Sequence, residues 1–403
     1  MKVIFLSTMF SNVERDISQS KNPNPVSGHK FQENLIKGIF ENDCDLSVIN
    51  ISRIRTYPNY PKVAIKTNKK MWCGTIDGTD IGFINLPFLN YFSQWISSYF
   101  ALRKELKKNK KEQYVLITFN SNLHTCFPML FSRFIHKNVV LCNVVGDLHG
   151  PYGIQNRTQG FKGKLIRLVE SFQDFIGKQF NCFVFLTKDM ASAMKVEHKP
   201  WCVVEGVYAS NKKQVNYTQN ADNKTKVVFY AGSLCREYGI EHLLRSFSLI
   251  SDPQYKLWLA GGGDTVSLIK EYVAADSRIE YLGFITPHEV SRRQNMATVL
   301  VNPRTTELEF VKYSFASKTL ECLASGKPYI AHKLPCDPPE YNGPIIYADN
   351  ESDEAVAAKI VEICELPDNE RDEIGQKARE FVLTQKKPKV MCKKIVDMLY
   401  KNY

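Results

Sequence analysis

The sequence predicts an α/β chain built as two tandem, doubly wound units. Three observations carry that expectation. Its 403 residues exceed what one ordinary core organises, so two domains are expected. Short, β-branched apolar runs alternate with helix-like segments along the chain, which is the pattern of parallel sheets covered on both faces. Finally, a polar stretch at 209–226, ASNKKQVNYTQNADNKTK, carries almost no core residues and separates two such series.

In the first series KVIFLS (2–7) reads as a strand, and a polar loop leads to an amphipathic helix from about residue 28 to 40. DLSVINIS, GFINL, YVLITFN, NVVLCNVV and CFVFLT follow as strands with helices between them, and the series ends near Glu205. The second series is KVVFYAG (226–232), YKLWLAGG (255–262), RIEYLG (278–283), VLVN (299–302), KPYIA (327–331) and PIIYA (344–348). No internal sequence repeat accompanies this repetition of architecture. The expected boundaries are 1–207 for the first unit and 208–385 for the second. Residues 386–403 form a basic amphipathic helix free to pack on either unit, including back on the first.

A formal net charge of +11 implies an anionic partner: a nucleic acid, a membrane face or a phosphorylated small molecule. The eleven cysteines are odd in number, scattered from Cys44 to Cys392, and include no CxxC pair. That argues against a disulfide framework or a zinc site and for a reducing compartment. The start, MKVIFLSTMF, has no small-residue cleavage site, and no apolar run reaches the roughly 18 residues of a spanning helix. The expectation is a soluble, cytoplasmic chain.

Open α/β sheets bind ligands outside the carboxyl ends of their strands, so the residues just after each strand carry most weight. After the first strand of the second series comes AGSLCREYGIEHLL (231–244), a Gly-Ser turn followed by Gly239 and a helix. After the second comes AGGGD (260–264), where Asp264 can cap the next helix. Such turns suit phosphate, although a plain structural turn explains them equally well. YSFASKTLECLASGKPYIA (313–331) is not a P-loop, because Glu321 and Pro328 occupy positions that motif reserves for Gly and Ser or Thr. It reads instead as a helix from 317 to 325 stopped by Gly326. Ser317 and Glu321 share a face. Ser314, Ser317 and Lys318 could hold a diphosphate, and Glu321 could accept two ribose hydroxyl hydrogen bonds. A surface Glu on a solvated face is the plainer alternative.

The block NPRTTELEFVKYSFASKTLECLASGKPYIAHKLPCDPPEY (302–341) resembles the donor-site block of family 4 glycosyltransferases of the GT-B fold, closest to their bacterial capsular, exopolysaccharide and lipopolysaccharide branch. YAGSLCREYGIEHLL, EGV (205–207) and SGHKFQENLIKGI (27–39) are similar to further motifs of that family. The resemblance implies two Rossmann-like domains facing across a cleft, an acceptor-binding one first and a nucleotide-sugar-binding one second. It also implies a retaining, metal-independent hexosyl transfer with no cofactor, the nucleoside-diphosphate sugar being a substrate, most simply UDP-linked. The donor residues it implies are Ser27, Gly28, Gly232, Ser233, Arg236, Arg304, Lys312, Tyr313, Ser314, Phe315, Ser317, Lys318 and Glu321. Ser233 and Tyr238 stand where many members carry Arg and Lys phosphate clamps, so the positive charge falls to Arg236, Lys312, Lys318 or Arg304. Tyr313, Ala316 and Cys322 also depart from the usual Glu, Pro and aromatic residue.

On the acceptor side Asp147 and His149 follow a strong strand, in the region of the family's cleft-facing polar residue, and with Lys318 they are the catalytic candidates. Asn120 and His124 follow another strand. The segment 86–113 sets Phe88, Tyr91, Phe92, Trp95, Tyr99 and Phe100 beside six Lys and Arg residues, a pattern that suits an anionic membrane surface and a lipid-linked saccharide acceptor. A core helix followed by a solvated charge run explains the same pattern. A nucleic-acid-binding reading lacks any recognition module. A metal-dependent reading rests on Asp43-Cys44-Asp45, where a turn is simpler. An epimerase, a phosphorylase and a non-catalytic nucleotide-sugar-binding protein complete the alternatives.

Overall fold

The computed structural model describes residues 1–148, 160–210 and 225–403. They form two compact units: Met1–Ala209 with Lys387–Tyr403, and Ser210–Lys386.

The first unit runs β1 (Lys2–Ser7), α1 (Val13–Ser18), α2 (Ser27–Phe40), β2 (Asp45–Ile51), β3 (Ala64–Ile65), β4 (Asn68–Trp72), β5 (Ile76–Ile81) and β6 (Phe83–Ile84). It continues with α3 (Leu89–Leu106), β7 (Tyr114–Phe119), α4 (Leu123–Ile135), β8 (Val139–Val145), α5 (Gly160–Gly177), β9 (Cys182–Phe185), α6 (Asp189–Met194) and β10 (Trp201–Val203). Its eight-stranded sheet has the order β10-β9-β8-β7-β1-β2-β5-β4. All neighbours are parallel except the β4–β5 hairpin at the edge. Central strands such as β7 and β8 are buried along their whole length, which is why they read as unbroken apolar runs.

The hairpin corrects the sequence reading. GFINL supplies only the two-residue β6, paired with β3 in a separate ribbon, whereas β5 takes the ladder position beside β2. β4 and β5, NKKMW and IDGTDI, are half-polar because an edge hairpin faces water on one side, so they carry no apolar run to detect.

The second unit runs β11 (Lys226–Ser233), α7 (Ile240–Ser248), β12 (Tyr255–Gly262), α8 (Val266–Ala275), β13 (Ile279–Gly283), α9 (Pro287–Met296) and β14 (Val299–Asn302). It ends with α10 (Lys318–Ala324), β15 (Tyr329–Ala331), β16 (Ile346–Tyr347), α11 (Asp353–Glu365) and α12 (Asp368–Gln385). Its six strands are all parallel, in the order β13-β12-β11-β14-β15-β16. Val228, Leu257 and Leu259 of the sheet pack with Leu243 of α7 and Ile360 of α11 in one core.

Pro388 cannot continue α12 but suits the first turn of a new helix, and α13 (Pro388–Asn402) starts there. This helix packs on α2. Met391, Ile395 and Leu399 enter the core of the first unit beside Leu35 and Ile39, and Asn42 Nδ2 donates to the Lys389 carbonyl at 2.8 Å. Among the described residues no helix is long and apolar enough to cross a membrane.

Ile395 is fully buried, whereas Val390 of the same helix is exposed. Ile395→Ala is expected to cost about 2–5 kcal/mol and Val390→Ala no more than about 0.5 kcal/mol, as read by denaturant unfolding. Equal losses would mean that α13 does not complete this core.

Candidate functional site

In the second unit, β11 and β12 stay paired to their last residues, Gly232 opposite Gly261 and Ser233 opposite Gly262. Gly261 has φ +133°, and a Cβ there would lie 1.8 Å from the Gly232 carbonyl oxygen. Only glycine permits this approach. Beyond the pair, Leu234 N donates to Gly262 O at 2.9 Å, and Thr265 Oγ1 donates to Leu234 O at 2.7 Å. The N-cap position of α8 falls on Thr265, and the Asp264 carboxylate accepts from Arg236 N at 3.0 Å and so joins the two post-strand turns.

The other side of this edge is α10. Thr319, Leu320, Leu323 and Ala324 are buried, while Ser317, Lys318 and Glu321 are exposed. The polar residues therefore form one outward face of a helix whose other face packs, as the spacing predicts. Lys318 Nζ donates to the Ala231 carbonyl at 2.9 Å, which brings Lys318 to the end of β11 beside Gly232 and Ser233. Gly326, at φ +79°, lies just past the helix, where a stop is expected. α10 has only seven residues and Ser317 makes no side-chain cap, so the helix offers at most a first turn of N–H groups.

Arg236, Arg304, Lys312 and Phe315 fare differently. Arg236 is exposed, with Nε 3.4 Å from Glu241 Oε2, and Lys312 is exposed in a 3₁₀ turn at Glu309–Tyr313. Phe315 is corrected to a core residue: its ring is buried against Tyr341 at 5.3 Å between centroids, so its side chain is not a contact for a ligand. Arg304 is 2 % exposed. Its guanidinium lies over the rings of Phe310 (4.7 Å) and Tyr238 (5.6 Å), and Nη1 donates to the Ser314 carbonyl at 2.9 Å. Nε and Nη2 are buried without partners. This side chain braces the segment holding Tyr313 and Ser314, both half-buried, and burial lowers its pKa.

Cys235, Glu237 and Asp264 bring one ligand atom each within 4.8 Å of one another. Asp264 already holds Arg236 N, and Cys235 Sγ lies 3.1 Å from Ser233 Oγ. Asp43 sits at φ +60° in the turn before β2, and Asp45 opens that strand, 3.4 Å from Lys2 Nζ. The Asp-Cys-Asp pattern therefore lies at the amino end of the sheet, opposite the ligand edge.

At the carboxyl edge of the first sheet, Ser27 is the exposed first residue of α2, and Gly28 follows it half-buried. Gln32 holds the loop after β1 by accepting from Thr8 N at 3.0 Å and donating to Thr8 O at 3.1 Å. Arg53, which the sequence reading missed, packs so close to α2 that a Cβ on Gly28 would lie 2.6 Å from its Nη1. Burial lowers the Arg53 pKa, and the nearby carboxylate of Asp147 opposes that shift. Asp147 is exposed just past β8, and its turn is held by Asn120 Oδ1, which accepts from Gly146 N at 2.7 Å and Asp147 N at 3.3 Å. Asn120 is thus a turn former. His124 packs against Tyr91 with tilted rings, centroids 5.8 Å apart, and burial pushes its pKa down to about 4, so it is neutral at physiological pH. His149 lies outside the described residues.

A hydrogen-bonded chain at the end of β15, buried at His332 and His242 and reaching the surface at Arg245, was also missed. His332 Nε2 lies 3.1 Å from His242 Nε2, His242 Nδ1 meets Asp353, and Arg245 Nε donates to Asp353 at 2.7 Å. Burial and then His242 lower the His332 pKa, so this chain joins α7, β15 and α11 with His332 neutral. Arg53 and His332 each closely follow a strand. The rule that selected Asp147 would have found both.

A buried cation with unpaired N–H groups costs stability, and replacing buried charges with apolar side chains is often neutral or stabilising by about 1–4 kcal/mol. Arg304→Met is therefore expected to hold or raise the melting temperature, whereas Arg304→Ala, which also loses the packing between the two rings, lowers it. Equal falls in thermal unfolding would show that the bond to Ser314 outweighs the burial of the charge.

Residues 212–381 match the family described as Glycosyl transferases group 1. No curated protein matches the sequence significantly. Among solved structures, sucrose-phosphate synthase from Thermosynechococcus elongatus is 15% identical, with 100% of this chain and 99% of that one covered and a TM-score of 0.63. HepE from Anabaena, in complex with UDP, is 13% identical over 100% of both chains, with a TM-score of 0.59. A glycosyltransferase from Rickettsia africae is 14% identical over 100% of both chains, with a TM-score of 0.63. At these identities the likeness establishes the architecture. The chain has the two-domain GT-B fold, and the match to the group 1 glycosyl transferase model falls within its second unit.

Proposed function

We propose that this chain is a metal-independent, retaining glycosyltransferase that moves a hexosyl group from a UDP-linked sugar to a saccharide or lipid-linked saccharide in surface-polysaccharide assembly. A lipid-linked acceptor would be met at the inner face of the cytoplasmic membrane, with the enzyme held there peripherally. The observation that carries the reading is the exposed Ser317–Lys318–Glu321 face, joined to the end of β11 by the bond from Lys318 to Ala231. The group 1 match over the same unit supports it, as does the UDP complex of the structurally similar HepE.

In the proposed reaction the glycosidic bond to the diphosphate breaks, and negative charge develops on the leaving oxygen. Lys318, bonded to Ala231 at the end of β11, is proposed to meet a phosphate oxygen at the same edge with one of its ammonium N–H donors. One such preorganised donor is worth roughly 3 kcal/mol in comparable oxyanion sites. Glu321, one turn along the same face, takes the ribose hydroxyls. Arg236 and Lys312 are the exposed cations proposed to stand in for the family's missing clamps, and Arg304 holds the loop rather than the ligand. Asp147, with Arg53 beside it, is the proposed acceptor-side residue together with His149.

Calorimetric titration with UDP, GDP, ADP and CMP, without metal and then with magnesium, tests the donor. The expected result is metal-independent UDP binding that Glu321→Ala weakens by about tenfold, or 1.4 kcal/mol, or more. Glu362→Ala, an exposed carboxylate of α11 paired with Lys359, should leave it unchanged. Equal effects would remove the ribose assignment, and binding of none of the nucleotides would favour a non-catalytic protein instead.

A further inference from the structure

The polarity of α3 is inverted. Asn90, Gln94 and Ser98 face inward, ahead of Leu102 and Leu106, and Ser98 Oγ is buried without a partner. Phe88, Phe92, Ile96 and Phe100 repeat every four residues along the outside. Phe88 is 94 % exposed and is held at φ +65°, a conformation a bulky side chain rarely adopts. A helix that faces water on its outer side carries the opposite arrangement.

The apolar surface continues over the next two helices. β7, β8 and β9 follow one another across the sheet, so right-handed crossovers set α3, α4 and α5 on one face. Tyr99 of α3 meets Phe131 of α4 at 5.2 Å, and Phe127 of α4 meets Phe172 of α5 at 6.0 Å. Outward from this layer stand Phe134, 87 % exposed, Leu168, 67 %, and Phe175, 59 %. More than half of the exposed large apolar side chains among the described residues lie on these three helices or at Phe88.

The charges beside the patch are mostly of one sign. Arg103, Lys104, Lys107 and Lys110 are exposed at the end of α3, and Arg133 and Lys137 at the end of α4. Of the acidic groups on these helices, Glu105 is paired with Lys108 at 2.7 Å, and Glu170 and Asp174 are half-buried.

We propose that the outer face of α3, α4 and α5 docks on an anionic lipid bilayer, with the aromatic and aliphatic side chains at the acyl boundary and the lysines and arginines among the headgroups. A second copy fits less well, because a two-fold contact would bring the same basic rims together. The proposal deepens the membrane side of the proposed function and stands on surface polarity alone, independently of the donor site.

Flotation of the whole chain with vesicles of phosphatidylcholine, with and without phosphatidylglycerol, tests it. No nucleotide is present, so the outcome is separate from that of the donor titration. The expected result is partition onto the anionic vesicles, reduced about tenfold or more by Phe92→Ser with Phe134→Ser and weakened by Lys104→Glu with Lys107→Glu. All four positions are exposed, and an unchanged melting temperature certifies that the variants fold. Failure of the wild-type chain to bind anionic vesicles would overturn the proposal. So would a dimer, seen by sedimentation, that Phe92→Ser with Phe134→Ser dissociates.

Discussion

Backbone contact between two strand ends governs the second unit. At Gly232 and Gly261 the chains meet with no room for a side chain on the second, so β11 and β12 remain paired to the edge of the sheet. The two turns that follow are then near enough for Asp264 to reach Arg236 N and for Thr265 to reach Leu234. Each glycine inside a strand costs roughly 0.5–1 kcal/mol, and a typical hydrogen bond returns about 1 kcal/mol. The arrangement is therefore close to neutral in stability, and its consequence is positional: the β11 end lies open beside α10, where Lys318 closes on Ala231.

The loop between β14 and α10 is held differently. Arg304 is enclosed by two rings and bonded to one carbonyl, and two of its nitrogens are unsatisfied. A guanidinium keeps its charge under such burial where a lysine would surrender its proton. Its planar shape fills the slot between Tyr238 and Phe310 while its fork reaches Ser314. The family-like pattern of cations is thus divided by geometry, with Arg304 acting from inside and Lys318, Arg236 and Lys312 remaining on the surface.

Most of the architecture was legible because both sheets are built on apolar strands whose limits coincide with turns. Strands β1, β7, β8, β11 and β12 lie within a residue of the runs that predict them. The β4–β5 hairpin was not legible, since one face meets water and its strands carry Lys, Asp and Thr. On α10 the spacing of Ser317, Lys318 and Glu321 around a buried stripe could be read directly. The burial of Phe315 could not, because its partner Tyr341 comes from a segment 26 residues farther along. Arg53 likewise feels the charge of Asp147 only because the fold brings the ends of β2 and β8 to the same sheet edge across the intervening strands.

The charge of +11 poses a question that one binding site does not answer. The exposed donor-edge candidates, Lys318, Arg236 and Lys312, are three cations, and Arg236 already has Glu241 beside it. Six further cations fall between 103 and 111, against Glu105 alone among the acidic residues of that span. They follow an aromatic stripe that could pass in the sequence for the buried face of α3. Burial separates the two explanations, because a core stripe at 88, 92, 96 and 100 would face the sheet, and here Asn90, Gln94 and Ser98 do. Once the polar stripe is inside, the aromatic stripe and the lysines beyond it form one surface. In the two proposals the basic charge serves two anions, a diphosphate at the end of β11 and lipid headgroups beside α3.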